Sequence, residues 1–159
     1  MAQPDHLGSS QPRLVLYLPH RPDHAEQLAL CPSAQALIAA NSNHWRKIIT
    51  LLAKVACPVA DDWRGFRDNE LFLRTALNFS DQLRPGDHWH WIGGKDNLQR
   101  FTTLEHRAQP LATAPAVAID PDQRLLLTPY PDYRQLSNHT VAVIREALAG
   151  IGFYEGNTP

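Results

Sequence analysis

Two hydrophobic periods run through the chain and mark out its elements. Arg13 to Leu18 is an aliphatic and β-branched run closed by Pro19, which predicts a buried strand. Asp23, three residues before Glu26, predicts the start of a short helix through Leu30, and Ser33 caps a second stretch with Leu37 and Ile38 inward. Trp45, Ile48, Ile49, Leu52 and Val55 or Ala56 form one stripe at helical spacing, so His44 to Ala56 reads as an amphipathic helix stopped by Pro58. Asp68 or Asn69 opens a further helix in which Phe72, Leu73, Ala76, Leu77 and Leu83 keep the same spacing. His88 to Ile92 alternates and meets Gly93-Gly94, which predicts a strand, and Asp96 or Asn97 begins a short helix to Phe101. After an irregular stretch over 102–114, Ala116 to Ile119 and Arg124 to Thr128 form a hairpin around Asp120-Pro121-Asp122-Gln123. Ser137 or Asn138 caps the last helix, with Val141, Ile144 and Leu148 inward and Gly150 closing it.

This order predicts an α/β fold, a small three-layer sandwich with a mixed, mainly parallel sheet of about four strands flanked by helices. The polar start, with Gly8-Ser9-Ser10, reads as a flexible tail over 1–12. A single domain is expected over 13–152 and a second tail over 153–159. The chain of 159 residues is 43% apolar and 19% charged, which suits one globular core. The longest apolar runs are far too short for a spanning helix, so no membrane partner is expected. The first residues lack a basic stretch followed by an apolar one, and a cytoplasmic location is the expectation.

Fifteen cations against sixteen anions leave no whole-chain basic field for duplex nucleic acid, although a local patch stays open. Cys31 and Cys57 form no C-x-x-C and no disulfide framework. Ligands of open α/β sheets lie beyond the carboxyl ends of the strands. That rule selects the loops at 19–24, 93–97 and 128–135 as the rim of a site. They supply His20, Arg21, Gly94, Lys95, Tyr130, Tyr133 and Arg134, a mixture of cations and aromatic rings suited to an anionic, ring-bearing ligand such as a nucleotide. Each loop also has a simpler explanation: turn chemistry through Pro19, Pro22, Gly93 and Gly94 for the first two, and rings folded onto the last helix for the third.

His88 and His90 stand two apart on a strand and share one face, with Trp89 and Trp91 on the other. Two such imidazoles could ligate one metal if His20, His24, His106 or Asp87 supplied a third ligand. The alternative is an amphipathic strand with its tryptophans in the core and its histidines toward water or a helix. No cofactor can be named from these residues.

The strand-turn-helix at His90-Trp91-Ile92-Gly93-Gly94-Lys95 and the strand-loop at Leu126-Leu127-Thr128-Pro129-Tyr130-Pro131 resemble two junctions of the uracil-DNA glycosylase superfamily. The family's His-Pro-Ser loop is here Thr128-Pro129-Tyr130, and its water-activating motif is missing after Leu18-Pro19-His20. The resemblance implies an analogy of fold. The leading functional expectation is a domain that binds a nucleotide or other anionic small molecule. The alternatives are a metal-assisted hydrolase using His88 and His90, a glycosylase-like protein acting on nucleic acid, and an interaction module that dimerises or docks on a protein partner through Trp63, Tyr130 and Tyr133.

Overall fold

The computed structural model describes residues 3–155. Seven strands form one sheet: β1 (His6–Gly8), β2 (Leu14–Tyr17), β3 (Thr75–Asn78), β4 (Trp89–Gly93), β5 (Gln109–Leu111), β6 (Ala114–Asp120) and β7 (Leu125–Thr128). The helices are α1 (Ala25–Leu30), α2 (Ala34–Ala40), α3 (Asn43–Ala56), α4 (Trp63–Asn69), α5 (Leu71–Arg74), α6 (Lys95–Gln99) and α7 (Asn138–Gly150), with a 3-10 turn at Ala60–Asp62. None of them is long and apolar enough to cross a membrane.

The strand order is β1-β3-β2-β4-β7-β6-β5. The β3-β2, β2-β4 and β4-β7 pairs are parallel, whereas β1-β3, β7-β6 and β6-β5 are antiparallel. This corrects the expectation of about four mainly parallel strands. The sheet has seven, and half of its pairings run antiparallel. Three additions account for the difference. The expected tail over 1–12 supplies β1, the irregular stretch supplies β5, and the helix expected beyond Asn69 stops at Arg74 and gives way to β3.

The last of these has a clear physical cause. Phe72, Leu73, Ala76 and Leu77 satisfy a helical period, but Leu73 is 71% exposed while Leu77 is fully buried. The Thr75 hydroxyl donates to the Leu71 carbonyl at 2.7 Å and ends the helical turn. Thr75 to Asn78 then fills the slot between β1 and β2, where both of its edges find partners. Tertiary pairing outweighs local propensity here.

Alternation along the strands divides the core. Leu14, Leu16, Leu77, Trp89, Trp91 and Leu126 pack with Ile48, Ile49 and Leu52 of α3 and with Val141, Ile144 and Leu148 of α7. Val15, Tyr17, Ala76, Ile92 and Leu125 face the other way, toward Phe101, Leu83, Leu98 and Leu104. Helix α6 and loops thus cover this second face, in place of a full helical layer. Ser33 and Ser137 cap α2 and α7 as expected, accepting from the N–H groups of Ala36 and Thr140 at 3.2 Å each. Gly150 is the last residue of α7, and the glycine that closes it is Gly152: it adopts φ +82°, and Phe153 N–H bonds the Leu148 carbonyl at 3.0 Å, a Schellman closure. Phe153 is buried in the main core, so the start of the expected C-terminal tail belongs to the folded body. Positions 1–2 and 156–159 of the two expected tails lie outside the described residues.

Candidate functional site

Strands β2, β4 and β7 run in the same direction, so their following loops emerge at one edge of the sheet. The Gly94 N–H donates to the Thr128 carbonyl at 2.9 Å and extends the β4-β7 pairing beyond the strands. This sets Gly93-Gly94-Lys95 beside Thr128-Pro129-Tyr130. The contact is close, because a Cβ on Gly93 would lie 2.6 Å from Pro131 Cδ. Gly94 adopts φ +100° and passes under the Tyr130 ring. Asn97 ties the edge together, its Nδ2 donating to the Tyr17 carbonyl at 2.8 Å and the Gly93 carbonyl at 3.2 Å.

A Gly93→Ala substitution is expected to displace Pro131 and with it the Tyr130 loop. Overpacking at such a contact costs about 1–3 kcal/mol. Urea denaturation measures the loss, and a variant as stable as the parent would refute the close packing.

A groove of about 650 Å³ opens between these two loops, bounded by Pro19, Lys95, Asn97, Thr128, Tyr130 and Gln135 among others. On the far side of Tyr130 stands a stack of rings. The Tyr130 ring is 5.5 Å from His44 and 6.0 Å from His20, nearly parallel to both, and His20 and His44 are 5.9 Å apart. The Tyr130 hydroxyl lies 3.1 Å from Nε2 of each histidine. It has one proton, so it can donate to one imidazole and accept from the other. Burial, reinforced by Asp132, pushes the Tyr130 hydroxyl up to about 12, so it stays a phenol. Burial, with His44 close by, lowers the pKa of His20.

The structure thus brings His20, Gly94, Lys95 and Tyr130 to one edge. Gly94, Lys95 and Tyr130 line the groove, His20 stands behind Tyr130, and the other three rim candidates are turned to other partners or to solvent. Arg21 donates to the Pro4 carbonyl at 2.7 Å and pairs with Asp5 at 2.5 Å, while its guanidinium lies over Phe79. The Tyr133 ring faces Lys47 and Lys54 on α3, with the two Nζ atoms 5.7 and 5.8 Å from its centre. Arg134 is exposed, and its N–H bonds Asp132 Oδ1 at 2.9 Å. His44 joined the cluster without a signal in the sequence. It occupies a polar position beside the apolar stripe of α3, where nothing distinguishes it from a solvent-facing residue.

His88 and His90 are neither at this edge nor in water. They are 4% and 7% exposed, on or beside β4, with ring centres 4.5 Å apart. The Tyr17 hydroxyl accepts from the Arg84 N–H at 2.9 Å and lies 2.7 Å from His90 Nδ1, to which it can donate its own proton. That direction of the bond goes with a neutral His90 protonated at Nε2. The His88 ring bonds the Arg84 carbonyl, and because its Nε2 has no partner, the donor is Nδ1–H. Among the described residues no set of three His, Cys, Asp or Glu could hold a metal, so none of the proposed third ligands joins this pair.

No curated protein and no solved structure matches the chain. A match over residues 5–149 spans nearly all of the described fold, both its candidate edge and the strands that build it, and the chain belongs to a family of unknown function (DUF6942).

Proposed function

We propose that the protein is a ligand-binding domain whose ligand carries an aromatic ring and an anionic group, as a nucleotide does, and that the ligand lies in the groove between Lys95 and Tyr130. The observation that carries this reading is the meeting of these two residues in one groove with the Tyr130 ring fixed by His20 and His44. A ring held by hydrogen bonds on both sides loses little entropy when a base stacks on it. Lys95 supplies a mobile cation for the anionic group, although Asp96 beside it limits the charge the groove tolerates. A single phosphate fits that balance better than a triphosphate.

Homodimerisation draws less support. The Tyr130 hydroxyl and ring are already engaged, and Trp63 is flanked by the cations of Lys54, Arg64 and Arg67 within 5.4 Å of its ring centre.

Calorimetric titration with nucleoside mono- and triphosphates and with a short single-stranded oligonucleotide tests the proposal. Saturable heat is expected with at least one of them. Tyr130→Ala removes a stacking platform worth about 1–3 kcal/mol, or roughly tenfold in affinity. Silence from the whole set would end this reading, and tightest binding to the oligonucleotide would move it from free nucleotides to nucleic acid.

A further inference from the structure

We infer a second binding site, for a phosphate group that carries a proton, in the cleft at the opposite end of the parallel strands. The cleft has a volume of about 690 Å³ and is lined by Arg13, Arg84, Asp87, His88 and Arg124 together with loop backbone. It lies where β2 and β4 begin, so the groove beside Tyr130 and this cleft are separated by the length of the sheet.

The charge of the cleft is positive, with three guanidiniums against the carboxylate of Asp87. Arg13 forms part of the wall, donating to the Glu155 carbonyl at 2.7 Å. Arg84 and Arg124 are the candidates to grip a ligand. Each guanidinium has five N–H donors. Among the described residues the Arg84 side chain hydrogen-bonds only the Ser10 carbonyl, at a long 3.5 Å, and the Arg124 side chain bonds the Asp87 carbonyl and stands 3.9 Å from its carboxylate. Arg124 also holds φ +53° at the end of the β6-β7 hairpin. The left-handed region costs a side chain such as arginine about 1 kcal/mol or more. Glycine would avoid that cost, yet the turn spends it to place a guanidinium at the rim.

His88 supplies the second, independent observation. It lines the cleft and is 4% exposed, and among the described residues its Nε2 is a buried acceptor with no partner. Leaving such a group unmatched is costly. A hydrogen phosphate, or a phosphate monoester in its singly protonated form, meets both demands. Its unprotonated oxygens accept from the two guanidiniums, and its P–OH can donate to His88 Nε2 once a small turn of the ring brings that buried atom to the cleft. Sulfate has the same shape and charge as hydrogen phosphate but no proton to give.

Titration of the intact protein with inorganic phosphate, glycerol 3-phosphate and sulfate, followed by amide chemical shifts, tests the site. Phosphate is expected to bind about tenfold more tightly than sulfate, and Arg84→Gln with Arg124→Gln to weaken it about tenfold or more. Should the double variant fold poorly, the exposed Arg124→Gln alone still predicts a measurable weakening. Tighter binding of glycerol 3-phosphate assigns the cleft to the phosphate end of a larger molecule, and tighter binding of the inorganic ion assigns it to free phosphate; both support the site. Absence of saturable shifts in the cleft, parity between phosphate and sulfate, or unchanged binding by the arginine variants overturns it. None of these probes has a ring, so their failure leaves the groove beside Tyr130 untouched.

Discussion

Trp91→Ala is expected to remove about 3–5 kcal/mol of stability, the range for deleting a large aromatic side chain from a packed core. Trp91 is fully buried in the middle of β4, with Leu16 of β2 and Leu126 of β7 as its sheet neighbours. It belongs to the cluster that joins the sheet to α3 and α7, so its loss opens a cavity at the junction of three elements. The indole has a second task. Its Nε1–H donates to the Thr128 hydroxyl at 2.8 Å, and that hydroxyl donates in turn to the Pro129 carbonyl at 2.7 Å. The chain of bonds fixes the loop that presents Tyr130. Trp91→Phe keeps most of the volume and removes the donor with part of the ring system. It should cost less, about 1–2 kcal/mol, while loosening the loop and weakening any ligand bound against Tyr130. Urea denaturation of both variants measures the first effect, and ligand titration of Trp91→Phe the second. A loss below about 1 kcal/mol for the alanine variant would mean that the site collapses around the gap far better than a packed sheet can.

The sequence makes this core legible where one period dominates. The stripe of α3, the run of β2 and the alternation of β4 each have one reading, and the caps at Ser33 and Ser137 do what serines do at helix starts. Strand β3 was hidden because its apolar positions fit a helix equally well until β1 and β2 offer it two edges. Strands β1 and β5 have three residues each, too short to show any period. At the candidate site the loops were visible through their prolines and glycines, since strands that run in parallel deliver their loops to one edge. Partner choice was not visible. Arg21 turns to Asp5, which only the docking of β1 brings near, and His44 reaches Tyr130 across 86 positions of chain. The burial of His88 and His90 has the same origin. Alternation placed them on one face, but only the fold shows that Leu83 and the Arg84 backbone close over it.

That closure makes the fold sensitive to acid. His90 is held neutral by the Tyr17 hydroxyl, and burial, with His88 adding to it, brings its pKa down to about 4. In the unfolded chain it returns to an ordinary value near 6.5. Between those two values the unfolded state binds a proton that the folded state refuses, so stability rises with pH across this window. The contribution is fully present above about pH 6.5 and is lost as pH falls toward 4, on the order of 3 kcal/mol for His90 alone. His88 and His6 are lowered as well, chiefly by burial and with Arg84 contributing to both, and they act in the same direction. The carboxyl of Asp120, held below its usual value by the Arg107 N–H, weakens the fold only at still lower pH, outside this window. Urea denaturation at pH 7.5, 6.5, 5.5 and 4.5 should show a stability that is level above the window and falls steeply within it. His90→Gln keeps a polar side chain at the position and removes its proton, so the fall should become shallower by about one proton's worth, near 1.4 kcal/mol per pH unit. A parent protein equally stable at pH 6.5 and 4.5 would show that His90 is protonated in the folded state without penalty. Its bond to Tyr17 would then have to run the other way, with Nδ1–H donating to a hydroxyl oxygen that already accepts from Arg84.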